Sequence, residues 1–430
     1  MSNKIKTTEM KQDKRGLVPK LRFPEFKDAG GWEEKELQDL GDLVSGLTYS
    51  PDDVRENGLL VLRSSNIKDG LISLEDTVYV DQNVKGVNLS KPNDILICVR
   101  NGSKNLIGKN ALIPKGLPLC THGAFMTVFR SKSWKFVFQL FQTTSYQKQV
   151  NGDLGATINS INSRHFVKYK FYVPNPPEQQ KIANCLSSID DLITEESEKL
   201  ESIKNHKKGL MQNLFPSEGK TTPNFRFPEF KNDGEWEVKP LGKICKYSNG
   251  GGNENNVVDN GKYYLISLNS IDTEGNLKPN MKRVNHIDNS LIKNDLVMVL
   301  SDVAYGNFLG LSAIIPNNNY VLNQRMAGLR VRSNQNINIE YLRLFINNNQ
   351  KYFKQKGQGS SQQNLSKPSV ERFPIFLPNN PKEQQKIADC LSSIDDLITS
   401  QGQKIEALKT HKKGLMQQLF PNIDQNHKSK

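Results

Sequence analysis

One long segment occurs twice in the chain, and this repeat constrains the fold more than any other feature. Residues 178–216 read EQQKIANCLSSIDDLITEESEKLESIKNHKKGLMQNLFP, and residues 383–421 read EQQKIADCLSSIDDLITSQGQKIEALKTHKKGLMQQLFP. The offset is 205 residues throughout, and 29 of the 39 positions are identical. A repeat of this length indicates one structural unit that is used twice.

A second, shorter motif repeats ahead of each long segment. Residues 21–27 read LRFPEFK and residues 225–231 read FRFPEFK, and a tryptophan follows each copy, Trp32 and Trp236. The chain therefore has the order motif, variable segment, repeat, all twice. We predict a flexible basic N-terminus at 1–20, a first domain at 21–176, a helix at 177–216, a second domain at 217–381, a second helix at 382–421, and a flexible tail at 422–430.

Both long repeats have the pattern of a coiled-coil helix. Apolar residues alternate at spacings of four and three over about five heptads, with polar residues at two breaks. Prolines stand where each helix begins and ends, and at 1.5 Å per residue each helix spans roughly 55–60 Å. The predicted seam residues are Ile182, Leu186, Ile189, Ile193, Leu200 and Ile203 in the first helix, and Ile387, Leu391, Ile394, Ile398, Ile405 and Leu408 in the second.

So narrow an apolar stripe needs a partner, because one helix alone leaves it in water. The predicted fold class is α+β, with two tandem α/β domains that are each followed by a long α-helix. The two helices pair as an antiparallel coiled coil with pseudo-twofold symmetry. The alternative is that each helix packs only on its own domain.

The variable segments have the signs of mixed α and β structure. Short apolar runs bounded by Gly, Asn, Asp and Pro predict strands at 59–62, 94–99 and 124–129, and matching runs lie at 295–300 and 326–331. Longer periodic runs predict helices at 136–149 and 339–353. Weak similarity between the two segments indicates two domains of one fold with different surfaces.

The positive charge is concentrated on the variable segments. The net charge is +13. The two repeats contribute −2 and 0, residues 1–20 contribute +4, and residues 422–430 contribute +1, which leaves +10 for the two domains. Basic charge on the variable parts indicates a polyanion as their partner. The alternative is a generally basic protein.

Other sequence features favour a reducing cytoplasmic location. The five cysteines lack C-x-x-C spacing, so neither a disulfide framework nor a zinc site is indicated. No run of about 18 apolar residues is present, and the N-terminus lacks the apolar core of a secretion signal. We therefore expect a cytoplasmic protein with no membrane partner.

The sequence contains no complete catalytic or cofactor-binding motif. Residues 102–110, GSKNLIGKN, lack the spacing of a phosphate-binding loop. The Asn-Pro-Pro sequence at 175–177 is followed by Glu178, where an amino-methyltransferase would carry an aromatic residue. The six histidines form no metal-binding pair. We expect no catalytic residue, no metal and no cofactor in this chain.

The polar loop residues of the variable segments have the chemistry that base recognition requires. Arg and Lys suit guanine, and Asn and Gln suit adenine, at the edges of bases in the major groove. Polar loops between strands are often only solvated, which is the alternative for each residue. The DNA-binding candidates are Arg63, Ser64, Asn66, Arg100, Asn101, Lys104 and Asn159 in the first domain, and Asn269, Asn323, Gln324, Arg325, Gln362, Gln363 and Asn364 in the second.

The repeated frame resembles the specificity subunit of type I restriction–modification systems. The resemblance lies in the two EQQKIA-x-CLSSIDDLIT segments, the KKGLMQ-x-LFP ends and the RFPEFK motifs followed by tryptophan. It covers nearly the whole chain and is weak only in the variable segments.

This resemblance implies a DNA-binding role without catalysis. Each variable segment would be a target-recognition domain for one half of a split double-stranded DNA site, and the helices would fix the gap. The partners implied are two adenine methyltransferase (M) subunits and two restriction (R) motor–nuclease subunits. S-adenosylmethionine, ATP and Mg would be used by those partners.

Two other classes of function remain open from the sequence. A pseudo-dimeric coiled-coil scaffold that binds proteins explains the repeats but not the basic domains. A self-contained nuclease or methyltransferase conflicts with the missing motifs.

Overall fold

A computed structural model of the chain describes residues 17–154, 159–288, 290–302, 308–359 and 362–421. Most of the predicted N-terminal extension, residues 1–16, lies outside the described residues, as does the predicted tail at 422–430. Residues 157, 158, 360 and 361 of two candidate loops also lie outside them.

Nine α-helices occur in the described part of the chain, and two of them are 39 residues long. None of the described helices is long and apolar enough to cross a membrane. In order they are α1 (Trp134–Leu140), α2 (Thr144–Asp153), α3 (Ser163–Phe166), α4 (Pro176–Leu214), α5 (Leu241–Ile244), α6 (Ile339–Asn348), α7 (Gln350–Lys356), α8 (Lys367–Glu371) and α9 (Pro381–Leu419).

The strands are short and fall into two sets, one ahead of each long helix. The first set is β1 (Glu33–Glu36), β2 (Asp42–Ser45), β3 (Val54–Arg55), β4 (Leu59–Leu62), β5 (Ile67–Lys68), β6 (Leu71–Ile72), β7 (Tyr79–Val80), β8 (Ile95–Cys98), β9 (Asn110–Leu112), β10 (Cys120–His122), β11 (Met126–Arg130) and β12 (Lys170–Val173). The second set is β13 (Glu237–Pro240), β14 (Cys245–Asn249), β15 (Val257–Val258), β16 (Tyr263–Ile266), β17 (Arg283–Val284), β18 (Leu296–Val299), β19 (Ser301–Asp302), β20 (Ser312–Ile314), β21 (Tyr320–Leu322), β22 (Met326–Val331), β23 (Gln363–Asn364) and β24 (Pro374–Leu377).

The chain divides into two compact units that do not follow its linear order. The first unit combines the residues up to Ser197 with those from Gln403 onward, and the second comprises Glu198–Gly402. Each unit therefore contains one variable segment, the first part of one long helix and the last part of the other.

The two larger sheets have the same topology in both units. In the first unit an antiparallel sheet has the order β2-β11-β8-β9, and a mixed sheet has the order β10-β4-β7-β3 with β10 parallel to β4. In the second unit the sheets are β14-β22-β18-β20 and β21-β16-β17-β15, with β21 parallel to β16. A two-stranded ribbon precedes each long helix, β1-β12 and β13-β24. This confirms the prediction of two tandem mixed domains, each followed by a long helix.

The predicted single helices at 136–149 and 339–353 were wrong, because each is two helices. The first divides at Thr143, whose side-chain oxygen accepts a hydrogen bond from the backbone N–H of Tyr146 and caps α2. The second divides at Asn349. A polar residue that binds backbone groups competes with helix continuation at both points, and the 3.6-residue periodicity across the break concealed it.

Each long helix begins at a buried ion pair with the RFPEF motif. In the first unit, Arg22 Nε and Nη2 donate to the two carboxylate oxygens of Glu178 at 2.8 and 2.6 Å. Arg22 is 8% exposed and Glu178 is 1% exposed. The Trp32 indole N–H donates to the same carboxylate at 3.3 Å. The pair explains why the motif and the helix start recur together.

The second unit repeats this ion pair with equivalent residues. Arg226 Nε and Nη2 each lie 2.7 Å from a carboxylate oxygen of Glu383. Two-pronged Arg–carboxylate pairs are strong and directional, and loss of one buried partner costs roughly 3–5 kcal/mol. The equivalent tryptophan differs, because the buried indole N–H of Trp236 has no hydrogen-bond partner.

The end of each long helix supplies a phenylalanine to an aromatic core. In the first unit, the ring of Phe420 lies 6.1 Å from Trp32 and 5.7 Å from Phe136 between centroids. In the second unit, Phe215 lies 5.7 Å from Tyr341 and 5.4 Å from Phe345. These are favourable tilted and edge-to-face contacts. The repeated Leu-Phe-Pro sequence thus closes each core before proline ends the helix.

The two long helices pack together in antiparallel directions. Within the first unit, Lys412 Nζ lies 2.6 Å from Asp190 Oδ1, and Lys404 pairs with Glu196. Asp190 precedes Glu196 along α4, whereas its partner Lys412 follows Lys404 along α9. The two helices therefore run in opposite directions. The helix pairing that the sequence predicted is therefore confirmed.

The equivalent ion pair occurs in the second unit, where Lys207 Nζ lies 2.5 Å from Asp395 Oδ1. Lys207 and Lys412 are the residues that interrupt the apolar stripe at matching positions. Their side chains are 13% exposed in both units. The lysine breaks in the heptad pattern are therefore cross-helix ion pairs.

The predicted seam residues are all at least half-buried. The buried members are Ile182, Leu186, Ile387, Leu391, Ile394 and Ile405, and the half-buried members are Ile189, Ile193, Leu200, Ile203, Ile398 and Leu408. The first residues of each stripe also belong to the core of their own unit. The alternative of packing on the domain therefore describes the helix starts, and the cross-helix ion pairs show that later parts of the helices lie side by side.

We predict that a charge at the seam of α9 destabilises the fold and that a charge on its outer face does not. Ile405 is 5% exposed and Leu397 is 57% exposed on the same helix. Ile405→Asp should lower the free energy of unfolding by roughly 3–5 kcal/mol, because it removes apolar burial and buries a carboxylate. Leu397→Asp should change it by less than about 0.5 kcal/mol. Urea denaturation of both variants measures the difference, and equal stabilities would contradict the seam assignment.

Candidate nucleic-acid interface

In the first unit, three predicted loops form one hydrogen-bonded surface. Asn101 Nδ2 donates to Ser64 Oγ at 3.0 Å, and the Asn101 backbone N–H donates to the carbonyl of Asn159 at 3.3 Å. Asn159 Nδ2 donates to the carbonyl of Gly102 at 3.0 Å. Residues 63–66, 100–104 and 159 therefore lie together at the ends of β4 and β8, although they are far apart in the sequence.

The cations of this surface differ in whether an acidic side chain holds them. Arg63 Nη2 donates to Asp76 Oδ1 at 2.7 Å, which limits its reach. Arg100 is exposed and its guanidinium lies 5.6 Å from the ring centroid of Phe125. Lys104 is exposed at the start of a short 3₁₀ turn. Arg100 and Lys104 are therefore available to an anionic ligand.

Asn66 has a different position from the other candidates. It is fully buried, its Oδ1 accepts from the Arg63 backbone N–H at 2.8 Å, and its Nδ2 donates to the carbonyls of Ser73 and Asp76. These bonds hold the turn after β4, so the side chain cannot reach a ligand in this structure. Its predicted base contact stays a prediction, and the geometry assigns it a supporting role.

In the second unit, the turn between β21 and β22 contains three candidates, of which one is buried and two are exposed. Asn323 is 1% exposed. Its Oδ1 accepts from the backbone N–H of Asn253 at 3.0 Å, and its Nδ2 donates to Glu254 Oε1 at 2.7 Å. Gln324 and Arg325 follow it and are exposed. Asn323 therefore shapes the turn that presents the next two side chains.

Glu254 keeps a negative charge beside this turn. The hydrogen bond from the Lys282 ammonium lowers the pKa of Glu254, with further contributions from Asn323 and from the charge of Arg325. The carboxylate therefore remains ionised at neutral pH. The positive charge of Arg325 acts on this carboxylate, so the two exposed side chains influence each other at the turn.

The remaining candidates of the second unit lie on neighbouring segments. Asn269 is exposed in the turn after β16. Asn364 Oδ1 accepts from Ser301 Oγ at 2.5 Å, and Gln363 pairs in the β-ladder with Asp302. Gln362 is half-buried and its Nε2 lies 3.4 Å from Asn364 Oδ1. Strand pairing and backbone bonds place these segments beside the β21–β22 turn.

The two units build this region with the same backbone hydrogen bonds. In the first unit, the N–H of Gly123 donates to Leu62 and the N–H of Val99 donates to Phe125, both at 3.0 Å. The equivalent bonds occur in the second unit, where the N–H of Asn323 donates to Ile266 and the N–H of Leu300 donates to Arg325, both at 3.0 Å. One framework therefore presents two different sets of side chains.

Two equivalent glycines allow the chain to approach this turn closely. A Cβ on Gly46 would lie 2.1 Å from the carbonyl oxygen of Gly123, and one on Gly250 would lie 1.9 Å from that of Asn323. Both distances are far inside van der Waals contact. The framework therefore requires glycine at this place in both units.

Phe125 was missed by the sequence analysis, although it is 57% exposed on this surface. It stands at the position equivalent to Arg325, since both carbonyls accept the same framework bond. Alignment of CTHGAFM with YVLNQRM at residues 120–126 and 320–326 was the available signal.

The described surface offers guanidinium, ammonium, amide and aromatic groups. Among the described residues there is no group of three His, Cys, Asp or Glu side chains placed to hold a metal ion. His122 is fully buried between Ser90 Oγ and the carbonyl of Val44, and burial lowers its pKa.

We predict that Asn66→Ala and Asn269→Ala act on different properties. Loss of the buried Asn66 amide leaves backbone groups unsatisfied and should cost about 1–3 kcal/mol of stability. Exposed Asn269 should change stability by less than about 0.5 kcal/mol. Thermal unfolding of the two variants tests this, and equal melting temperatures would contradict the supporting role of Asn66.

Comparison with known proteins identifies the family. The family described as type I restriction modification DNA specificity domain matches residues 29–205 and 233–410. The chain is 27% identical over 183 residues to the StySPI specificity subunit of Salmonella potsdam, covering 40% of this chain and 39% of that protein. It is 30% identical over 171 residues to the EcoKI specificity subunit of Escherichia coli K12, covering 37% and 36%. The matched part is thus under two fifths of the length of these two relatives.

A longer match is with the putative type I restriction enzyme MjaX specificity subunit of Methanocaldococcus jannaschii. It is 25% identical over 412 residues, which cover 90% of this chain and 92% of that protein. The fold is similar to that of the type I restriction-modification S subunit from M. genitalium, with a TM-score of 0.60 at 16% identity over 95% of this chain and all of that chain. A second similar structure, from work on assembly and conformational transition of a type I R-M system, has a TM-score of 0.53 at 14% identity, covering 91% and 98%. The chain belongs to the type I restriction–modification DNA specificity family and contains the family's domain twice.

Proposed function

We propose that this chain is the DNA-reading subunit of a type I restriction–modification complex, and that each unit reads one half of a bipartite double-stranded DNA site. The observation that carries the proposal is the repeated framework with different exposed side chains. Basic charge concentrated on the variable segments supports a DNA partner, because phosphate contacts dominate affinity. Side chains at the turns then supply sequence preference.

The paired helices set the gap between the half-sites in this proposal. Each long helix runs without interruption for 39 residues and passes from one compact unit into the other. Half-sites on one face of B-DNA lie about 34–36 Å apart or at multiples of that distance. A stiff helix pair, fixed by the Asp190–Lys412 and Lys207–Asp395 ion pairs, suits a constant gap.

The outer faces of the helices dock the methyltransferase subunits. Leu192 and Leu397 occupy the same repeat position and are 38% and 57% exposed. Both helices present the same repeated sequence with an exposed leucine, so each can bind one copy of the same partner. In this proposal two M subunits bind these faces and two R motor–nuclease subunits complete the complex.

The chain itself supplies no catalytic group in this proposal. S-adenosylmethionine serves the M subunits, and ATP with Mg serves the R subunits. The complex works in the cytoplasm, where DNA and these small molecules are found together.

The direct test is methylation mapping in a host that expresses this chain with its methyltransferase subunit. We expect adenine methylation in one motif made of two short half-sites and a fixed gap. The methyltransferase expressed alone is the control. A complex that assembles but creates no motif would contradict the proposal and favour a protein-binding scaffold.

A second test concerns the docking faces. Leu192→Asp or Leu397→Asp alone should reduce the bound methyltransferase from two copies to one, and the double variant should bind none, since a charge opposes burial of that face. Native mass spectrometry of the complex counts the copies. Thr410→Asp lies on another face of α9 and should leave two copies bound. Two copies retained by the double variant would overturn these docking faces.

A further inference from the structure

The turn that leads into the last strand of the central sheet has opposite chemistry in the two units. In the first unit it is Ala124–Phe125, between β10 and β11, and in the second it is Gln324–Arg325, between β21 and β22. We refer to both as the tip turn. The framework hydrogen bonds described above support the tip turn at equivalent points in each unit. The backbone within the turn differs, because Arg325 has a positive φ and Phe125 does not.

Arg325 projects from the second tip turn with a strained backbone. Its φ of +68° lies in the left-handed region, where residues other than glycine and asparagine are uncommon. Its carbonyl accepts from the N–H of Leu300 at 3.0 Å, so the turn is held on both sides of the side chain. Buried Asn323 stands two residues before it, and the charge of Arg325 acts on the exposed Glu254 carboxylate. Arg325 is itself exposed, so a ligand can reach its side chain.

Phe125 occupies the equivalent position in the first tip turn and exposes 57% of its surface. The Arg100 guanidinium lies 5.6 Å from the ring centroid. A single exposed apolar side chain is common on protein surfaces, but here the ring lies beside an exposed cation. An aromatic ring beside a guanidinium offers apolar contact and positive charge together.

We infer that the tip turn reads a base in each unit, with Arg325 contacting a guanine and Phe125 contacting the methyl group of a thymine. This inference rests on the proposed function and names the bases for two positions in the bipartite site. The planar fork of arginine matches O6 and N7 of guanine in the major groove, and apolar side chains contact the thymine methyl. Lysine lacks this fork, so charge alone does not reproduce the contact.

A phosphate contact by Arg325 makes a different prediction. Loss of a phosphate contact weakens binding to all sequences about equally and lowers the salt dependence. Loss of a base contact relaxes preference at one position and leaves the others unchanged. The two roles are therefore separable in one experiment.

The experiment is methylation mapping and DNA binding with the assembled chain and methyltransferase complex. The unmodified complex first gives the two half-sites. Arg325→Ala should then make one guanine position of one half-site degenerate, with discrimination reduced on the order of 10- to 100-fold. The other half-site should be unchanged. Arg325→Lys should show most of the same loss, and it keeps the positive charge if the alanine variant assembles poorly.

The matched control is Lys243→Ala, which removes an exposed cation in α5 of the same unit and should leave the motif intact. Phe125→Ala should relax one thymine position in the opposite half-site. An unchanged motif with Arg325→Ala, or a uniform loss of affinity for all sequences, would overturn the base contact. Failure of the proposed function is distinguishable, because then the unmodified complex yields no bipartite motif at all.

Discussion

The structure depends on the way each compact unit is closed by both long helices. A buried Arg–Glu pair fixes the start of one helix to the domain, and a phenylalanine from the end of the other helix fills the aromatic core. The ion pair lies within one sequence repeat, whereas the phenylalanine comes from the other copy. Two nearly identical helices are therefore required, because every core needs a start and an end from different copies.

Because the long helices close the cores, the exposed surfaces of the two domains can differ. Core closure uses the repeated residues, and the framework around the tip turn uses backbone hydrogen bonds and close glycine contacts. The exposed side chains of Phe125 and Arg325 at this turn take no part in core closure. The same separation suits a protein whose two recognition surfaces must change without loss of the frame.

The fold class and the helix pairing followed from the sequence, because the heptad stripe and the exact repeat have one economical solution. The helix breaks at Thr143 and Asn349 were not predicted from the sequence. The apolar periodicity continues across both positions and conceals the effect of side-chain capping. The Arg22–Glu178 pair was also missed, although both residues lie in repeated motifs. Among the interface candidates, composition indicated the loops but could not distinguish exposed Arg325 from buried Asn66 and Asn323, because burial depends on contacts across the sheet. The base contacts of all these residues stay predictions.

Exchange of residues 225–378 for the corresponding domain of another family member tests the central claim most directly. The claim is that one frame carries two independent readers. Methylation mapping of the hybrid with the same methyltransferase should show one changed half-site, one unchanged half-site and an unchanged gap. Loss or change of both half-sites in an assembled hybrid would contradict the account.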